Sequence, residues 1–262
     1  MNVTPHHAPH ARPRMRLGGL DIDVVTFEGA IDAIAELVAA RHGGMVFTPN
    51  IDHVVLVDED PRLRAAYAEV SLSLVDGVPL LWASRLLGTP LPEKVSGSDL
   101  CLPLLERAAK QGWRVYLLGG APGVAERAAE RLRATIAGID IVGTDGPRVD
   151  VDREGTYDDI VGKIVAARPD LLLVAFGCPK QEIFMHRIRA AIAPTVAVGV
   201  GAGIDFLAGT VKRAPKWIST VGLEWLYRLA REPRRLWRRY LVRDPKFVFV
   251  LLHQLRERRR TR

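Results

Sequence analysis

The chain has 262 residues, 48% hydrophobic and 26% charged, with a formal net charge of +7. That length and composition suit one sizeable globular core, or one domain with an appendage. Only two cysteines, Cys101 and Cys178, occur far apart, which argues against a disulfide framework and for a reducing cytosol. No apolar run approaches the roughly 18 residues that a spanning helix requires.

Residues 1–16 carry charge, proline and three histidines but no apolar stretch of signal-peptide type, so they read as a disordered lead. Short β-rich runs then alternate with helical patterns. Strands are predicted at Gly44–Thr48, Ser71–Val75, Arg114–Leu118, Ile139–Val142, Asp170–Phe176 and Thr195–Val200. Helices are predicted at Gly29–Arg41, Asp99–Gln111, Val124–Ile136 and Lys180–Ala193, from apolar residues at i, i+3 and i+4. The alternation predicts an α/β fold: a Rossmann-like, mainly parallel sheet with helices on both faces and ligands at the carboxyl ends of its strands.

Beyond Gly209 the sequence turns helical, aromatic and basic. From Lys212 onward there are 16 Lys and Arg against 4 acidic residues, so the chain before it nets to −5. The boundaries follow: lead 1–16, α/β domain 17–209, basic helical appendage 210–262. Pro233 and Pro245, each after an acidic residue, suit successive short helices with proline in the first turn. A basic stretch set among Trp217, Trp225, Tyr227, Trp237, Tyr240, Phe247 and Phe249 is suited to a polyanionic surface or a phosphorylated ligand.

Several strand ends carry residues suited to chemistry. Leu118-Gly119-Gly120-Ala121-Pro122-Gly123 is a glycine-rich turn between a strand and a helix, compatible with a phosphate site or with a plain connection. It matches neither GxGxxG nor a Walker loop. Gly177-Cys178-Pro179-Lys180-Gln181-Glu182 opens a helix; Lys180 can neutralise phosphate, and Gln181 and Glu182 can bond a ribose, base or sugar hydroxyl. Glu182 also fits a plain first-turn acid. Gly199-Val200-Gly201-Ala202-Gly203-Ile204-Asp205 adds a third glycine turn with one carboxylate. Asp76-Gly77 is a common turn pair, yet its place at a strand end makes Asp76 eligible as a general base. Asp-x-Asp triplets at Asp21, Asp58 and Asp150 read as surface turns or caps, and no His or Cys spacing matches a zinc site.

These motifs, with Thr48-Pro49-Asn50, Val95-Ser96-Gly97-Ser98-Asp99, Lys212-Arg213-Ala214-Pro215-Lys216-Trp217 and Gly222-Leu223-Glu224-Trp225-Leu226-Tyr227-Arg228-Leu229, occur in an order that resembles the WecG/TagA/CpsF family of bacterial glycosyltransferases, from about Leu20 to Tyr240. The resemblance implies inverting, metal-independent and cofactor-free transfer of a sugar from a UDP-sugar to a polyprenyl-diphosphate-linked saccharide, in cell-surface polysaccharide synthesis. It implies Asp76 as general base and a sugar pocket lined by Thr48 and Asn50. Gln181, Glu182 and Asp205 are expected at the donor, with Gly119 and Gly120 presenting backbone to it, and Arg213, Arg228 and Arg231 at phosphate. Many members carry arginine where this chain has Lys94, which keeps the leaving-group cation but not its bidentate fork. The expected location is cytoplasmic, peripheral on the inner face of the plasma membrane, with the appendage on anionic lipid. No nucleic-acid partner is expected, and a homo-oligomer stays open. Two other classes use the same features: a nucleic-acid-binding α/β protein gripping phosphate with its basic tail, and a nucleotide-dependent oxidoreductase on the same sheet.

Overall fold

A computed structural model describes residues 12–153, 155–211 and 224–260. A short antiparallel hairpin, β1 (Arg14–Leu17) and β2 (Leu20–Asp23), precedes a six-stranded parallel sheet of order β4-β3-β8-β7-β5-β6. Its strands are β3 (Gly44–Phe47), β4 (Leu72–Ser73), β5 (Arg114–Gly119), β6 (Asp140–Asp145), β7 (Leu171–Ala175) and β8 (Val196–Gly199). All six predicted strands are present, within a few residues at their ends. The predicted α/β layering is therefore the observed one.

Strand side chains alternate between two cores, as the two-residue period of a pleated strand requires. Leu172 and Val174 point into one core with Phe47, Leu118 and Phe184. Leu171 and Leu173 point into the other with Val46, Leu117 and Val198. The second core is covered by α1 (Phe27–Ala40), α5 (Gly97–Gln111), α6 (Val124–Thr135) and α9 (Gly203–Ala208). The first is covered by α2 (Ile51–Glu59), α3 (Pro61–Ala68), α4 (Val78–Leu86), α7 (Asp158–Ala167) and α8 (Lys180–Ile188). Start signals are local: Thr26 and Ser96 accept backbone N–H groups at the starts of α1 and α5, and Asp60 caps α3 ahead of Pro61.

The hairpin departs from the reading of residues 1–16 as a disordered lead, since Arg14–Leu17 is a strand; residues 1–11 lie outside the described chain. Its cause is an alternation of Met15, Leu17, Leu20 and Ile22 into the first core, on either side of a Gly18-Gly19 turn. Asp23 departs from the surface-turn reading as well. It is buried, pairs with Arg14 at 2.8 Å, and accepts the Ser73 N–H at 2.7 Å. That contact satisfies a donor on β4, the strand at the end of the sheet, which would otherwise be open to pairing.

The carboxyl edge of the sheet depends on close backbone approach. At Gly119 φ is +126°, and a Cβ there would lie 2.5 Å from the Ala175 carbonyl oxygen. Gly119→Ala is expected to lower stability by about 2 kcal/mol or more, through both strain and overlap. Urea denaturation checks this; a change under about 0.5 kcal/mol contradicts the packing argument.

After α9 the described chain resumes with α10 (Glu224–Arg231) and α11 (Pro233–Arg238). A π-helical turn (Arg239–Arg243) and α12 (Lys246–Arg260) follow. Proline-led starts appear where the sequence places them, at Pro233 and just after Pro245. Helix α12 returns to the amino-terminal hairpin, where the Gln254 carboxamide accepts from Gly18 N–H at 2.9 Å and donates to the Arg16 carbonyl at 2.8 Å.

Candidate active site

Because the six strands are parallel, their carboxyl ends share one edge, and loops leaving β3 and β4 are brought side by side. Asp76 N–H donates to the Pro49 carbonyl at 2.8 Å, and Val95 N–H donates to the Val75 carbonyl at 2.7 Å. These bonds place Asn50, Asp76 and Lys94 around one opening. Gly77, at φ +115°, turns the chain from Asp76 straight into α4.

A cavity of about 510 Å³ lies between this edge and the carboxyl-terminal helices. Its polar side holds Asn50, Asp76, Lys94, Arg228, Arg239 and Asp244; its apolar side holds Trp82, Leu86, Trp225, Phe247, Val248 and Leu251. Lys94 is ion-paired with Asp99 at 3.1 Å, which fixes the amine at the rim. Tyr240 also lines the cavity, with Trp225 5.9 Å from its ring centroid and the Arg239 guanidinium 5.4 Å from it.

The appendage is fastened to the domain by a buried carboxylate. Asp52, 2% exposed, receives Arg243 Nη1 at 2.8 Å, and Arg239 Nε lies 3.2 Å from its other oxygen. Arg239 Nη2 donates to Asn50 Oδ1 at 3.1 Å. Burial, the largest single influence, works against the charge of Arg239, but Asp52, Tyr240, Asp244 and Cys178 together outweigh it and hold the guanidinium above its ordinary pKa. Further out, Lys246 pairs with Glu59 at 2.6 Å.

Four of the residues expected from sequence line the cavity: Asn50, Asp76, Lys94 and Arg228. Others at the same edge are turned elsewhere. Thr48 is buried and donates to the Gly199 carbonyl at 3.3 Å. Gln181 is buried; its Oε1 accepts Gly177 N–H at 3.2 Å and Gly201 N–H at 3.3 Å, tying the β7 and β8 turns together. Glu182, fully buried, bonds Gln181 Nε2 at 2.7 Å and His53 Nε2 at 3.2 Å through the same oxygen. Gly119 and Gly120 form the β5 turn, and Asp205 lies in α9 with its carbonyl accepting from Thr210. Arg231 is exposed and donates to the Tyr227 hydroxyl at 3.2 Å. Arg213 lies outside the described residues.

Sequence reading missed Asp52, His53 and Asp244. Asn50 and His53 form a capping box at the start of α2, a spacing visible in the chain. Asp244 carries a perturbed acid: burial raises its carboxyl from 3.8 to about 6, against the opposing pull of Arg239 and with help from Asp52. Between those values the folded protein holds more protons than the unfolded chain, so this group's contribution to stability falls as pH rises from about 4 to about 6. Asp244→Asn is therefore expected to stabilise the protein at pH 7 by about 1 kcal/mol, after discounting for solvent screening, and to match the parent near pH 4. Thermal unfolding at the two pH values tests it; an equal gap at both contradicts the assignment.

A carboxylate and several cations gather at the strand-end cavity of a parallel sheet, and a glycosyltransferase family profile matches residues 15–261. The protein is a glycosyltransferase. It belongs to the glycosyl transferase WecG/TagA/CpsF family, which replaces the oxidoreductase alternative. It is 33% identical over 241 residues, 92% of this chain and 90% of the relative, to the N-acetylglucosaminyldiphosphoundecaprenol N-acetyl-beta-D-mannosaminyltransferase of Bacillus spizizenii (strain ATCC 23059 / NRRL B-14472 / W23). No helix among the described residues is long and apolar enough to cross a membrane.

Proposed function

We propose that this enzyme transfers an N-acetylmannosamine-type sugar from a UDP-sugar to a polyprenyl-diphosphate-linked saccharide, with inversion and without a metal in the reaction. The observation carrying this reading is the cavity itself, with Asp76 and fixed cations on one side and a wall of Trp82, Leu86, Phe247 and Leu251 on the other. Such a wall suits the first isoprene units of a lipid, and the cations suit diphosphate. In the reaction Asp76 takes the proton of the acceptor hydroxyl as its oxygen attacks the anomeric carbon. The bond from that carbon to the UDP oxygen breaks, and its electron pair leaves with UDP. Lys94, Arg228 and Arg239 offset the charge gathering on the diphosphate. Gln181 shapes the turns behind the site rather than meeting the sugar directly.

A UDP-release screen across UDP-sugars with a short-chain polyprenyl-diphosphate acceptor tests the reading. Acceptor-dependent release from UDP-N-acetylmannosamine or a related sugar is expected, and its absence with every donor rejects it.

The outward residues of the appendage include Phe249, 74% exposed, with Leu241, Val242, Leu252 and Trp237, among many arginines. This pairing of apolar and cationic groups supports peripheral attachment to anionic membrane on the cytoplasmic side. Phe249→Ser with Leu252→Ser is expected to reduce co-sedimentation with phosphatidylglycerol vesicles at least threefold. Unchanged sedimentation removes this face as the attachment.

A further inference from the structure

Behind the cavity, and lining none of it, three side chains from different elements converge. His53 of α2, Cys178 of the β7–α8 turn and Glu182 of α8 place an imidazole nitrogen, a thiol sulfur and a carboxylate oxygen all within 4.8 Å of one another. We propose that this cluster binds a zinc ion that pins α2 to the β7–α8 turn, a structural site separate from the transfer chemistry.

Two independent observations point to a ligand. Glu182 is 0% exposed, and its Oε2 has no hydrogen-bond partner among the described residues, although both His53 and Gln181 crowd the other oxygen. The hydroxyl of buried Tyr67, whose ring meets His53 edge-on at 6.3 Å, likewise has no hydrogen-bond partner among the described residues. A bare carboxylate oxygen in a closed interior is costly unless a cation meets it. The arginines that reach this region are bonded to Asp52 and Asn50.

Charge and geometry fit zinc. A thiolate and a carboxylate neutralise a divalent ion, so the buried assembly carries no net charge. Tetrahedral zinc with bonds of about 2.0–2.1 Å to nitrogen and oxygen sets those two donors about 3.3 Å apart, and His53 Nε2 lies 3.2 Å from Glu182 Oε1; the ion then meets the carboxylate through both oxygens, Oε2 included. Mixed nitrogen, sulfur and oxygen donors favour zinc over magnesium or calcium. The second imidazole nitrogen is also placed for it. His53 Nδ1 lies 3.0 Å from Asn50 Oδ1 and 3.2 Å from the Asn50 backbone nitrogen; with Nε2 on the metal the Nδ1–H donates to Oδ1, in place of the capping bond that a bare Nδ1 accepts from Asn50 N–H. The fourth position faces Tyr67 or a water.

The test uses the full-length, reduced, chelator-stripped protein, with Co²⁺ as a coloured substitute for Zn²⁺. His6, His7 and His10 are changed to alanine in every sample, so that the amino-terminal histidines add no background. One equivalent of Co²⁺ is expected to produce a thiolate-to-cobalt charge-transfer band and the intense visible bands of a tetrahedral site, both lost when Zn²⁺ is added. Cys178→Ser should remove the thiolate band, Cys101→Ser should retain it, and Glu182→Gln should weaken affinity at least tenfold, with circular dichroism unchanged in all three. Zn²⁺ should also raise the Tm of the parent and not that of Cys178→Ser. Absence of a one-to-one cobalt complex, or a thiolate band that persists in Cys178→Ser, overturns the proposal. UDP release enters none of these readouts, so the zinc site stands or falls apart from the proposed reaction.

Discussion

Asp76→Asn is expected to lower kcat by about a thousandfold while leaving UDP-sugar affinity within about threefold, because general-base assistance contributes roughly 10²–10⁴ in rate. Asparagine keeps the size and hydrogen-bonding shape of the side chain but cannot accept the acceptor's proton. Asp76 holds the neighbouring strand through its backbone N–H to the Pro49 carbonyl, a bond the substitution preserves. Steady-state UDP release, with donor binding by calorimetry, separates the two quantities. A kcat within tenfold of the parent removes Asp76 as the base, whereas equal loss of binding and turnover makes it a donor-binding group.

Asp76 was legible in the sequence for a physical reason. Strands buried on both faces are nearly continuous apolar runs, so Leu172 to Val174 and Val196 to Val198 stand out, and the polar residue that ends each run marks a carboxyl end. In a parallel sheet all such ends face one edge. Asn50 and Asp76 could therefore be assigned to one edge from the sequence, whereas Lys94 ends no strand and was marked by the family resemblance alone. What the sequence hid was direction. Gln181 and Glu182 sit in a polar motif at that same edge, yet both point inward: Gln181 accepts the Gly177 and Gly201 N–H groups of the turns after β7 and β8, and Glu182 meets Gln181 Nε2 and His53 Nε2. Helix α2 was missed because it buries Asp52, His53, Val54, Val55 and Val57 together, so no polar face repeats along it. The cluster joins His53 to Cys178 and Glu182, more than a hundred positions further along the chain, and no local spacing rule can see it.

The same separation hides the contact with the largest expected effect on the appendage. Asp52 and its two arginines lie about 190 residues apart in the chain, yet Arg243 donates to it at 2.8 Å and Arg239 approaches within 3.2 Å. Removing one partner of a buried pair commonly costs about 3–5 kcal/mol, because a charge is left without its counterion. Here both arginines keep some solvent contact, 24% for Arg239 and 34% for Arg243, so Asp52→Asn is expected to cost about 2 kcal/mol. The loss should fall on docking of the π-helical turn and α12 rather than on the sheet, which Asp52 does not enter. Amide exchange should accelerate at least tenfold across 246–260 and stay near parent rates in β5, β7 and β8. Turnover should drop with it, since Arg239, Tyr240 and Phe247 line the cavity only while that segment is seated. A double-mutant cycle with Arg243→Met completes the argument: a coupling energy of about 1 kcal/mol or more is expected between the two positions. Strict additivity, with exchange in 246–260 unchanged in Asp52→Asn, would mean that the apolar contacts of Phe247 and Leu251 alone seat the appendage, and that the buried carboxylate merely accompanies them.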